Sequence, residues 1–191
     1  MNLILASQSP RRRELLGFFR TPVIVRVADI DETMDPNASA YSEVARVSHL
    51  KALAVDREPE DVVIAADTIV VCQGQVLGKP KDEEDACRML RLLSGADHQV
   101  MTGLSVVQGQ KQFVCTQITK IRFRKLTERE ILAYVKSGEP MDKAGAYGIQ
   151  GGAALFVEGM EGDYYNVMGL PVCRLSQILQ ELAPQITEEI Q

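Results

Sequence analysis

Tryptophan is absent, and Phe and Tyr together raise the aromatic share to only 5%. An interior with so few large rings has to be filled mostly by aliphatic side chains. No run of 18 apolar residues occurs in the 191-residue chain, so no membrane span is expected. The N-terminus enters an apolar strand and then a basic cluster, the reverse of a secretory signal, so the expected location is cytoplasmic. Cysteine occurs four times, at Cys72, Cys87, Cys115 and Cys173, and never as a CxxC pair. That argues against structural zinc and against a disulfide framework. The two histidines, His49 and His98, have no obvious Ser or Cys partner. A hydrolase triad has little support, and both read as structural or surface residues. A basic surface is missing too. The net charge is −5, which argues against stable nucleic-acid binding but leaves room for one basic pocket and a small anionic ligand. Repeats, linkers and low-complexity segments are absent.

What is present is an ordinary globular balance, 46% hydrophobic and 25% charged. The length suits a single domain spanning residues 1–191. Strands and helices alternate in the first half. Strands are expected at 3–6, 23–27 and 62–72, and helices at 10–19, 41–55 and 82–93. Ser9 is placed to cap the first helix and Pro10 to open it. Residues 99–107 and 112–124 flank Gly109 as a hairpin. Thr127-Glu128-Arg129-Glu130 is a capping box opening a helix that stops near Gly138. A Gly-rich stretch at 145–152, a strand at 154–157, a polar turn and a final helix at 171–182 follow. Residues 187–191 are expected to fray. The class is α/β with a mixed sheet.

Four places contradict their local setting, as functional sites often do. In Ser7-Gln8-Ser9-Pro10-Arg11-Arg12-Arg13, three arginines occupy the first turn of a helix, where each cation costs roughly 0.3–1 kcal/mol against the helix dipole. A bound anion reverses that sign, and serine hydroxyls and guanidinium groups suit phosphate oxygens. The alternative is a solvated basic face. Asp67 lies in the apolar run 62–71, where a carboxylate is expensive unless it meets a cation or donors. At the C-terminal end of a strand it can hold a divalent metal or take a proton from water. The alternative is an Asp capping a turn between two shorter strands. Lys51 shares a helical stripe with Val44, Val47 and Ala54. It can reach a phosphate from there, although spacing alone favours an amine that snorkels to solvent. The stretch from Asp142 to Gly152 repeats glycine, which lets backbone approach a ligand, and the Gln150 amide can read a base edge. It matches neither a dinucleotide fingerprint nor a Walker loop, and a plain connecting loop is the alternative. Two softer features are Asp29-Ile30-Asp31-Glu32, whose carboxylates can join Asp67 around a metal, and Gly78-Lys79-Pro80, a lysine in a tight turn.

Together these residues amount to an anion cradle, several carboxylates and two or three lysines, with no persuasive covalent nucleophile. That suits metal-assisted attack of water on a phosphate chain. Spacing alone does not say which bond breaks.

Several blocks resemble one family. Leu5-Ala6-Ser7-Gln8-Ser9-Pro10-Arg11-Arg12 resembles the opening signature of the Maf family. Ala66-Asp67-Thr68, Gly78-Lys79-Pro80, Ser94-Gly95 with His98, and the run from Glu139 to Gly151 resemble its further blocks. Gly162-Asp163-Tyr164-Tyr165 and Val167-Met168-Gly169-Leu170-Pro171 complete the match. The blocks occur in order over nearly the whole chain. The resemblance implies an elongated mixed sheet flanked by helices with a central cleft, like the inosine-triphosphate pyrophosphatases. It implies hydrolysis of nucleoside triphosphates between the α and β phosphates with a divalent metal cation, Mg²⁺ or Mn²⁺. Asp67 matches the family's proton acceptor. Ser7, Arg11, Arg12, Glu32, Lys51, Lys79 and Gln150 match positions that contact substrate or metal, Glu32 and Asp67 being the metal pair. Asp31, next to Glu32, is a competing candidate for its role. Arg11, Thr68 and Gln150 match the branch acting on dTTP and UTP, where the 7-methylguanosine triphosphate branch has a bulky aromatic, a Gln and a Glu. Modified pyrimidine nucleotides are further candidate substrates, in nucleotide-pool housecleaning. The family also suggests a homodimer, and its link to septum formation and division arrest offers a non-catalytic, nucleotide-binding regulator as the alternative.

Overall fold

A short apolar run near the N-terminus forms a central parallel strand because both of its faces can be buried. In a computed structural model that describes residues 1–27 and 29–187, β1 (Leu3–Leu5) is buried along its whole length. It pairs in parallel with β2 (Val23–Val25) on one side and with β3 (Val62–Cys72) on the other. The expected fraying beyond Thr187 lies outside the described residues. Three more strands are β4 (Gln75–Leu77), β5 (Asp97–Gln108) and β6 (Lys111–Phe123). With β7 (Val157–Glu161), the sheet has seven strands in the order β2-β1-β3-β5-β6-β7, and β4 pairs with β3. This is the mixed α/β sheet expected.

The chain divides into two compact units. One holds Met1–Asp67, Thr102–Gln117 and Gly169–Gln191. Its helices are α1 (Pro10–Leu16), α2 (Ala40–Ala54) and, near the C-terminus, a helix at Val172–Leu182. Its core is aliphatic, with Ile4, Ala6, Ala52, Val55, Val63, Ala65 and Val107 in one cluster. Gly103 lets α2 approach β5, since a Cβ there would fall 2.1 Å from the Val44 carbonyl oxygen. The first helix was expected to reach residue 19, but its α-helical part stops at Leu16 and a 3₁₀ turn continues to Phe19. Arg20, in the left-handed region at φ 54°, ends that turn.

The other unit holds Thr68–Met101 and Ile118–Met168. Its helices are α3 (Glu83–Leu93), α4 (Glu128–Lys136) and the single turn α5 (Tyr164–Val167). The scarce aromatics concentrate here. Phe123 meets Tyr147 at 4.8 Å and His98 at 4.9 Å, edge to face, and Tyr134 meets Phe156 at 5.2 Å. The aliphatic core expected from composition holds for both units, with four rings, Phe123, Tyr134, Tyr147 and Phe156, joining it in the second. The capping box is present in full, with Thr127 and Glu130 satisfying each other's backbone N–H.

The strand expected at 154–157 is displaced. Gly152–Leu155 forms a 3₁₀ turn and the strand begins at Val157, because its polar, half-exposed residues carry little apolar alternation to mark it. The β3–β4 hairpin was not foreseen. It turns at Gln73 and Gly74, both at positive φ (50° and 77°), and Gln is a weak signal for such a turn. All four cysteines are free. No helix among the described residues is long and apolar enough to cross a membrane.

Candidate functional site

Asp67 sits in the middle of an unbroken β3, neither at its end nor in a turn between two shorter strands. Its access comes from its neighbour. β1 ends at Leu5, opposite Ile64, so β3 runs on past the end of its parallel partner. Asp67 and Thr68 are half-exposed where the five preceding residues are buried.

Lys51 does not snorkel. Its Nζ donates to Asp67 Oδ1 at 2.7 Å and to Glu32 Oε2 at 2.8 Å. The side chains of Lys51 and Asp67 are only 14% and 13% exposed. A partly buried carboxylate and ammonium thus compensate each other. The stripe itself is altered, since Ala54 is exposed while Ser48 and Ala52 are buried. Glu32 is held in place by its own loop. Glu43 Oε2 accepts from the Asp35 backbone N–H at 2.8 Å, and Arg46 donates to the Thr33 carbonyl at 2.8 Å while pairing with Glu43. Asp31 is turned elsewhere. Its Oδ1 accepts from the Thr33 backbone N–H, and the residue lines a groove with Ile30, Arg46, Leu50 and Leu53. Between the two acidic candidates, Glu32 is the one joined to Asp67 through Lys51.

Arg12 belongs to the same cluster. Its Nη1 donates to Ser7 Oγ at 3.0 Å and its Nε to the Gly169 carbonyl at 2.8 Å. Burial pulls its guanidinium below its ordinary pKa, the attraction of Asp67 opposes this, and neighbouring Arg11 adds repulsion. It stays charged at neutral pH. The helix end contributes less than expected. The Ser9 N–H goes to Ser7 Oγ, the Arg12 N–H goes to Ser9 Oγ, and Pro10 has none. The cationic character of this segment comes from its side chains. Arg11 is half-exposed and Arg13 exposed.

Thr68 follows Asp67 on β3, and Lys79 and Gln150 also belong to the second unit, both exposed. The Lys79 turn and the Gly-rich loop are joined by a hydrogen bond from Gly145 N–H to the Gly78 carbonyl, 2.9 Å. In that loop Gly145 and Ala146 are both left-handed, at φ 69° and 58°. Both histidines are structural. His98 is buried, its Nε2 lies 2.8 Å from the Tyr147 hydroxyl, and burial holds its pKa down to about 4. The Ala96 carbonyl favours the proton less than burial disfavours it. His49 is half-buried with Nδ1 3.1 Å from Ser105 Oγ. The sequence reading overlooked Glu43 and Arg46, which hold the Glu32 loop, and Tyr134 and Glu139, which hold the Gly-rich loop. Glu139 lies in a block that carries the resemblance, but nothing in its spacing shows its partners.

Fold and cluster together define an α/β protein with a cationic anion cradle beside paired carboxylates. Its fold is similar to a HAM1 protein from Coxiella burnetii and to the Ham1 protein of Staphylococcus aureus, each at TM-score 0.51 and 14% identity. The alignments cover 95% of this chain in both cases, and 99% and 100% of the two structures. The family described as Maf-like protein matches residues 2–182, and the chain belongs to the Maf family. Among its relatives, a dTTP/UTP pyrophosphatase of Geobacillus sp. (strain WCH70) is 49% identical, covering 94% of this chain and 97% of the relative. One of Aquifex aeolicus (strain VF5) is 47% identical, covering 95% and 96%.

Proposed function

We propose that this chain is a nucleoside triphosphate pyrophosphatase that hydrolyses dTTP and UTP to the monophosphate and pyrophosphate. The observation that carries the reading is the Lys51 ammonium held between Glu32 and Asp67, with the Arg12 guanidinium in the field of both. The names of relatives that align over nearly their whole length support the substrate class. Glu32 and Asp67 also suit a divalent cation. Their oxygens already converge on one positive charge, and Mg²⁺ bound with nucleotides commonly takes one or two protein carboxylates, with phosphates and water completing its shell. When bound, such a cation neutralises phosphate oxygens and polarises the phosphorus.

The protein's own groups do the rest. Arg12, steadied by Ser7 and the Gly169 carbonyl, grips phosphate oxygens, with Arg11 adding positive charge. Lys79 is assigned to substrate by the family resemblance. Lys51 occupies one Asp67 oxygen, and the other accepts a proton from water. The water oxygen bonds to phosphorus at the α–β bridge. The bridging bond breaks and pyrophosphate departs with the bonding pair. Lys51 and Arg12 stabilise the charge that develops. Arg11, Thr68 and Gln150 are assigned to substrate specificity because each matches the pyrimidine branch of the family. Modified pyrimidine triphosphates fall within the same reading, as do a cytoplasmic location and a homodimer.

Pyrophosphate release from dTTP with Mg²⁺ or Mn²⁺ tests this directly. Asp67→Asn should lower kcat by at least about 100-fold. A variant as active as the wild type removes Asp67 from the mechanism.

A further inference from the structure

The Gly-rich loop that carries Gln150 is gripped by two side chains that the hydrolytic chemistry does not use. Tyr134 projects from α4, and Glu139 begins the 3₁₀ turn that follows it. Glu139 Oε1 accepts from the Tyr134 hydroxyl at 2.9 Å, and Oε2 accepts from the Gly152 backbone N–H at 3.0 Å. The Tyr134 oxygen accepts from the Gly148 backbone N–H at 3.1 Å. The two anchored amides stand two residues before and two residues after Gln150. Tyr134 is buried and Glu139 half-buried. Lys143 Nζ donates to the Glu139 carbonyl at 2.6 Å, closing the base of the loop.

The glycines answer to this grip. A Cβ at Gly151 would fall 2.0 Å from Glu139 Oε1, and one at Gly148 would fall 2.6 Å from Lys143 Cε. The space that a side chain would need at these two positions is taken by the protein itself, not left open for a ligand. Next to the gripped segment, Ala146 is held at φ 58°, a conformation that persists only when its surroundings enforce it.

We propose that Tyr134 and Glu139 are positioning residues for base selection, fixing the main chain on both sides of Gln150 so that its amide meets the base in one orientation. The inference rests on the reading that Gln150 contacts the base. An amide carries a donor at one end and an acceptor at the other, so it discriminates only when its direction is set. An exposed Gln on an untethered turn samples both directions and loses that power. The grip acts on the base and leaves the phosphates to other residues, so its loss should raise KM for dTTP more than it lowers kcat.

The test compares kcat/KM for dTTP against dATP in the wild type, Gln150→Ala, Tyr134→Phe, Glu139→Gln and Glu139→Ala. Tyr134→Phe removes one oxygen and keeps the packing of the ring. It should reduce the dTTP preference about tenfold, with the loss in KM. Glu139→Gln can still accept from Gly152 and should retain more preference than Glu139→Ala. Amide hydrogen exchange at Gly148 should quicken in Tyr134→Phe by about tenfold. Preference lost in Gln150→Ala but kept in Tyr134→Phe and Glu139→Ala overturns the inference and leaves the base-reading role intact. Preference unchanged in Gln150→Ala overturns the base-reading role itself, whatever the other variants do. Should Glu139→Ala fail to fold, Tyr134→Phe and Glu139→Gln decide the matter.

Discussion

Lys51 shows how a single residue changes meaning once its partners are known. On the helix it is a cation in an apolar stripe, and spacing alone favours release to solvent. Its partners lie 19 and 16 residues away, in a loop and in a strand, so no local pattern links the three. Asp67 was legible because a carboxylate inside an apolar run has to be compensated by something. His98 behaves in the opposite way, with burial outweighing the opposing pull of the Ala96 carbonyl and Asp97. Its pKa is held down to about 4, from an ordinary 6.5, by loss of solvent. The folded protein therefore takes up this proton less readily than the unfolded chain. The stability this supplies is complete above pH 6.5 and is lost as the pH falls toward 4. Between pH 7.5 and pH 5 the loss amounts to about 2 kcal/mol. Urea unfolding of the wild type and His98→Asn at both pH values checks this, and the drop with pH should be smaller in the variant by about that amount. An equal drop in both proteins would show that His98 does not contribute.

At the scale of the element, β1 and α2 do most to build the candidate site. Because β1 stops at Leu5, the chain can turn through Ser7 into α1, and β3 is uncovered where Asp67 begins its half-exposed stretch. One face of α2 carries Lys51, and the same helix uses Glu43 and Arg46 to tie down the loop bearing Glu32. The seating of α2 depends on Gly103. Gly103→Ala would press a methyl group onto the Val44 carbonyl and should cost roughly 1–3 kcal/mol, lowering the thermal unfolding midpoint by several degrees. Dislodging α2 should also move Lys51, so pyrophosphate release should fall in the same variant. An unchanged midpoint would mean that the helix shifts at no cost. Element types were readable because their periods, caps and breakers are local. The exceptions are instructive, since β7 lacks apolar alternation and the β3–β4 turn places Gln where Asn or Gly would announce it.

At the scale of the whole molecule, a chain of net charge −5 concentrates guanidinium groups at one helix start. Affinity should therefore go to compact anions rather than to duplex DNA. A non-hydrolysable dTTP analogue with Mg²⁺, supplied at 100 times its Kd, should stabilise the fold by about 2.7 kcal/mol. An equal concentration of a dATP analogue should stabilise it less. Thermal unfolding with both analogues reads the difference, and an identical shift would remove the base preference. The expected α/β class and mixed sheet are present, and the family expectation holds over residues 2–182.

By itself the sequence determined the alternation of strands and helices, the family, and the identity of the misplaced charges. All of these follow from short-range pattern and residue chemistry. Only the tertiary structure decided which misplaced charge meets which: Lys51 with Glu32 rather than with solvent, Asp31 turned into its own loop, and glycines filled by Glu139 and Lys143 rather than open to a ligand. The physical reason is that an ion pair or a hydrogen bond depends on separations of about 3 Å in space. Residues far apart along the chain reach that separation only when the fold packs their elements together.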